Sequence, residues 1–325
     1  MDNQANVESS PLSRGPVLAA LPPFSDILSE SFVFYKNHAP IILGVSAVPF
    51  MLALPNNFFF GTMPSLFSGI FLLLASIFTF FSRLALFETV AENGDPAGGV
   101  LGAYRSGFKY LISFAWASVL ISFAVLGGTM LLIIPGILLS ISLSMSIYVI
   151  FMEGKKGTQA MAASWHYVKN YWGQVFWRIL AFGLIVFAVS ILYLFIMMSV
   201  IFMKGGSFGV DLAESVKVLP IFKLIQLAMQ NFLFIPLGII YSYFIYLSLR
   251  TAKAGVPETD VENIKKRIVV FVVLGIFVLL ALLIFATFSI YKYLPMFFDP
   301  NSPVSLAVPS SAGLYPLLEL FQNSF

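Results

Sequence analysis

From Leu111 to Met152 the chain runs for 42 residues without an Asp, Glu, Lys or Arg. About 20 apolar residues cross the hydrocarbon of a bilayer as a helix. This run therefore holds two spans, with the reversal expected in GGTMLLIIPG at Pro135 and Gly136. The 46 uncharged residues between Lys36 and Arg83 divide in the same way, parted by PNNFFFGTMPS at Pro55 to Ser65. Ile179 to Met203, Leu224 to Leu249 and Ile268 to Tyr291 give one span each. Lipid offers no partner to a bare peptide group, and uninterrupted runs of this length satisfy theirs as helices. The alternating ten-residue segments of a barrel are absent. The expected fold is an all-α, polytopic helical bundle of about seven spans.

Composition agrees with that reading. The chain is 59% hydrophobic and 10% charged, with a mean hydropathy of +0.93, against about 45–50% apolar and 25% charged in a soluble domain. A net charge of +3 with scattered Lys and Arg makes no face able to neutralise a row of phosphates, so nucleic acid is not an expected partner. With no cysteine, thiolate chemistry and disulfides are excluded. Residues 1–23 lack a basic start followed by an apolar core, and read as a disordered cytoplasmic tail rather than a cleaved leader.

Orientation follows the basic residues. With the N-terminus cytoplasmic, 14 of the 18 Lys and Arg lie inside, and Lys204, Lys217, Lys223 and Lys292 lie outside. Seven crossings then leave the C-terminal tail outside. The domain reading is a six-span unit over 24–250, a cytoplasmic linker over 251–267 anchored by Lys265, Lys266 and Arg267, a seventh span over 268–291, and an extracytoplasmic tail over 292–325.

A short segment of mixed polarity precedes each pair of spans: FSDILSESFVFYKN, DPAGGVLGAYRSGFKY and GTQAMAASWHYVKNY. They align on Lys36, Lys109 and Lys169, at spacings of 73 and 60 residues. Glu92 and Glu153 each end a span ahead of a glycine-containing turn. The pattern predicts three copies of one unit, an interfacial elbow helix followed by a hairpin of spans. In the third copy Met161, Trp165, Val168 and Trp172 share one face at helical spacing, with Gln159, His166 and Asn170 opposite. Leu28, Phe32 and Tyr35 form the stripe of the first copy, and Leu101, Tyr104, Phe108 and Leu111 that of the second. The elbows are expected to lie in the inner headgroup layer, aromatics toward lipid, with Lys36, Lys109, Trp165, Lys169 and Trp172 as anchors beside anionic phosphates.

The stretch Leu131 to Phe176 resembles the membrane domain fused to some bacterial glycerophosphodiester phosphodiesterases, which also occurs as a stand-alone membrane protein. The matching residues are Ile134-Pro135-Gly136, Glu153, Ser164-Trp165 and the aromatic-rich segment after them, and the similarity runs over about residues 24 to 250. It implies a bacterial inner-membrane protein. It implies no catalytic residues, because the family's chemistry resides in a separate barrel domain for which this chain has no soluble stretch.

Reactive constellations are absent. His38 and His166 lack a second imidazole or a close Asp, and no metalloprotease, nucleophile-elbow or phosphate-loop pattern exists. No cofactor and no metal are expected, and the chain reads as non-enzymatic. Arg83 and Glu88, near the inner end of the second span, read as structural partners of a neighbouring elbow. Gln226, Gln230 and Asn231 are the candidate polar pocket: the glutamines are four apart and share a face that must look at another helix, and Pro236 is positioned to kink that span. The functional expectation is a protein that organises membrane lipid, anionic lipid included, or partner proteins. The alternative is a small-molecule or lipid transporter using the glutamine face.

Overall fold

The structure, a computed structural model, describes residues 21–58, 65–203, 221–254 and 261–298. Among them there is no strand. α1 (Phe24–Asn37), α2 (Ala39–Phe58) and α3 (Ser65–Ala91) form the first unit, α4 (Gly99–Lys109), α5 (Leu111–Leu131), α6 (Ile133–Leu143) and α7 (Ser146–Glu153) the second. α8 (Thr158–Val168), α9 (Trp172–Met203) and α10 (Ile221–Ala252) form the third, and α11 (Val261–Phe298) is the added helix. Among the described residues six helical stretches are long and apolar enough to cross a membrane, and the bent pair α1 and α2 makes a seventh if counted as one span.

The elbows have local causes. α1 turns by 82° into α2 at His38, whose ring lies over the bare Cα of Gly94, a residue with φ +88° where a side chain would be both strained and blocked. α8 ends at Lys169, and Asn170 takes φ +75°, a left-handed conformation that Asn tolerates better than most residues. α7 stops at Gly154, φ +67°. The reversal inside the long uncharged run falls at Leu132, in extended conformation. Pro135 and Gly136 instead occupy the first turn of α6, where the missing proline N–H costs nothing.

α5, α6, α8 and α11 make the tightest packing. Gly127 of α5 lies against the Phe271 carbonyl and Gly275 of α11 against the carbonyl of Phe123; a Cβ on either glycine would collide with backbone. Gly128 packs on Gly136 across the α5–α6 hairpin. Small residues let backbones approach closely where lipid supplies no hydrophobic drive.

The Gly127–Phe271 and Gly275–Phe123 contacts make α11 antiparallel to α5. Counted as alternating crossings, spans three and seven would run in the same sense and lie parallel. The structure corrects that topology: the Leu132 turn lies at the end of the molecule where α11 begins. The expected boundaries shift as well. α11 starts at Val261 within the expected linker and continues to Phe298. Leu21 at the end of the expected disordered tail is buried, and Arg178 donates to the carbonyls of Leu21 and Pro22 at 2.9 and 3.0 Å. Residues 1–20 and 299–325 lie outside the described residues.

Candidate functional site

The third elbow sits at the crossing of five other helices, α5, α6, α7, α10 and α11. Its small residues Ala160, Ala162, Ala163 and Ser164 are buried together with Met161, His166 and Val168. The Ser164 hydroxyl donates to the Ser142 carbonyl at 2.7 Å. Glu153, which the sequence marks only as a span terminus, holds the junction. One of its oxygens accepts the hydroxyls of Tyr167 and Tyr246, each at 2.7 Å, and the Lys155 ammonium lies 3.2 Å from the other. A carboxylate with three donors is satisfied, and it ties α7, α8 and α10 together.

This burial corrects the expected orientation. The stripe Met161, Trp165, Val168, Trp172 does not face lipid as a unit: Met161 and Val168 are fully buried, Trp165 is half-buried and Trp172 is exposed. His166 is inside rather than on the wet face, its ring edge-on to Tyr167 at 6.0 Å. Gln159 and Asn170 are exposed, as expected. Lys36, Lys109 and Lys169 all stand exposed at the C-terminal ends of their elbows, where a cation complements the helix dipole. Glu88 is buried, with Lys109 of the second elbow and Glu92 as its charged neighbours.

The glutamines line a groove. α9 and α10 touch at two levels, where Phe182 stacks on Tyr241 with centroids 4.8 Å apart, and where the Tyr193 hydroxyl donates to the Phe222 carbonyl. Between those contacts the helices splay around a cavity of 630 Å³ lined by Ser190, Leu194, Gln226, Met229, Gln230 and Phe234, among others. Asn231 is not part of it. It is buried, its amide donating to the Leu227 carbonyl at 2.9 Å.

Beside the groove the helix is irregular: Met229–Phe234 forms a π turn, with the Ile235 N–H bonding to the Gln230 carbonyl. Pro236, expected to kink this span, explains the irregularity. It offers no N–H to the carbonyl four residues back, that of Phe232, and the Tyr35 hydroxyl takes that place at 2.5 Å. Such bulges occur often at functional sites.

Among the described residues no group of three or more His, Asp or Glu is placed to hold a metal ion. Long apolar helices on all sides of a helical core define the class: an all-α, multi-pass membrane protein. No family model matches the chain, and neither does any curated protein or solved structure. Nothing in those comparisons identifies the glycerophosphodiester phosphodiesterase membrane domain. The tyrosines of YSYFIY, which meet Glu153 and Asn93, went unread in the sequence. Their spacing at i, i+2 and i+5 gives no periodic signal that separates partners from packing.

Proposed function

We propose that this chain is a non-enzymatic membrane protein that organises lipid or partner proteins in the bacterial cytoplasmic membrane, with its N-terminus and the elbow lysines Lys36 and Lys109 on the cytoplasmic side. The observation that carries the reading is the α9–α10 groove. It has apolar walls and two glutamine amides on one side, and suits a chain-like amphiphile better than a polar solute. Splayed apolar helices leave each other's flanks to lipid, and α9 contributes no buried residue across its apolar window. Mass spectrometry of the purified protein tests this: specific lipids or a reproducible partner should survive detergent exchange. Recovery of neither sinks the proposal.

A transport reading is favoured by one specific feature, the π turn beside the groove, because a helix with a displaced register has a second arrangement available to it. Flux through proteoliposomes that is unchanged by Gln226→Leu with Gln230→Leu would remove that reading and leave the first intact.

A further inference from the structure

Where α11 roofs the third elbow, two cavities adjoin and share Trp165 and Lys169. One, of 160 Å³, is lined by Trp165, Lys169, Asn263, Ile264 and Arg267. The other, of 480 Å³, runs between Leu138, Val168, Trp172 and Phe271, with Pro135 and Asn170 at its margin. The first is basic and polar; the second is apolar. Lys169 and Arg267 make no ion pair with a carboxylate among the described residues, and no acid lines either cavity. A third cation stands close by: Lys253, buried at the end of α10, holds its ammonium 5.7 Å from the Tyr171 ring. Burial first, and the Lys169 charge second, lower its proton affinity. Next to the apolar cavity the hairpin tip Leu131 to Ile134 is exposed along its length, a surface that suits acyl chains and not water.

We infer that this pair of cavities is a binding site for one anionic phospholipid, its phosphate between Lys169 and Arg267 and an acyl chain along Leu138, Trp172 and Phe271. A free phosphate would use the basic half and leave the apolar half empty; a zwitterionic lipid would use the apolar half and leave two cations without a counter-charge. Tryptophan at the junction of the halves suits a ring that is apolar in body and polar at its N–H. The inference rests on the lipid-organising reading and gives it a lipid class and an address separate from the α9–α10 groove.

The test uses the full chain in nanodiscs of phosphatidylcholine doped with phosphatidylglycerol, read by native mass spectrometry. The wild type should retain phosphatidylglycerol. Lys169→Gln with Arg267→Gln should lower that preference about 30-fold, the loss of two surface cations at about 1 kcal/mol each. Lys36→Gln with Lys109→Gln should change it less than about threefold, because neither lysine lines either cavity and exposed charges beyond about 8 Å are screened from a phosphate bound there. A second measurement needs no charge variant: phosphatidylglycerol brominated on its acyl chains should quench the protein's tryptophan emission more than brominated phosphatidylcholine, and Trp165→Phe with Trp172→Phe should abolish the difference. Equal loss from both lysine sets overturns the site in favour of a diffuse field. Displacement of the lipid by inorganic phosphate overturns it in favour of a soluble anion. A wild type that binds both lipids equally overturns it while sparing the broader reading, whereas one that retains no lipid at all, and no partner, ends both.

Discussion

The second and third elbows occupy the same place in the repeat and live in opposite surroundings. Leu101 on α4 is 79% exposed and Phe108 is 57% exposed, whereas their counterparts sixty residues on, Met161 and Val168 of α8, are 0% exposed. Both helices carry apolar residues at equivalent positions. What differs is the cover: α11 lies across α8, whereas among the described residues α4 packs mainly on α3 and α2 and leaves Leu101 and Phe108 exposed. An apolar stripe on an elbow therefore does not specify lipid. It specifies an apolar neighbour, which α11 supplies to α8 together with α5 and α6.

The sharpest way to break that contrast is to test the cover itself. The antiparallel seam places position 131 opposite 267, one turn beyond Gly127 and Phe271. The chain has no native cysteine, so Leu131→Cys with Arg267→Cys should form a disulfide on mild oxidation in essentially every molecule. Absence of the crosslink, on gel shift, would mean that α11 does not lie on α5 as described.

Next in size, Gly275→Leu introduces a side chain where a Cβ already meets the Phe123 backbone. Forced separation of α5 and α11 should cost about 3 kcal/mol or more, read as loss of thermal stability in detergent, and should bring α8 amides into hydrogen exchange while α4 is unaffected. Met161→Ala should cost about 2–4 kcal/mol as a cavity in a packed site. Leu101→Ala at the matched position should stay within about 0.5 kcal/mol, and equal losses would erase the distinction between the elbows. Glu153→Ala removes the shared acceptor of Tyr167 and Tyr246 and should cost about 1–3 kcal/mol. Chemical denaturation is the readout, and a neutral result would reduce the junction to packing alone.

Much of this was legible in the residues. Charge-free runs gave the apolar helices, Lys36, Lys109 and Lys169 marked the ends of three elbows, and Pro236 beside Gln226 and Gln230 pointed to an irregular helix with a polar wall. The burial of α8 was hidden because Met161, Trp165 and Val168 make a stripe that suits lipid and protein equally. The better signal was the run of Ala160, Ala162, Ala163 and Ser164, small on every face, as a helix needs when neighbours surround it. The antiparallel seam was hidden for another reason: Gly127 and Gly275 reveal that some backbone comes close and not which way it runs. Asn231 adjoins Gln230 in sequence, which a one-dimensional reading cannot tell from sharing its face; it is buried and bonded to the Leu227 carbonyl, outside the groove the glutamines line.

The Tyr35 hydroxyl on the Phe232 carbonyl joins residues 197 positions apart, and that has a consequence for how the chain is made. Helices enter a bilayer in order of synthesis, and α1 emerges long before α10. The turn at Met229–Phe234 has its exposed carbonyl satisfied only after α1 has docked on it, so the sixth apolar stretch arrives in the membrane unfinished and is completed by the oldest part of the protein. Biogenesis should pause there. A truncation that removes α1 would leave a chain that inserts and yet never matures, visible as a protease-sensitive α10 in an otherwise membrane-embedded product.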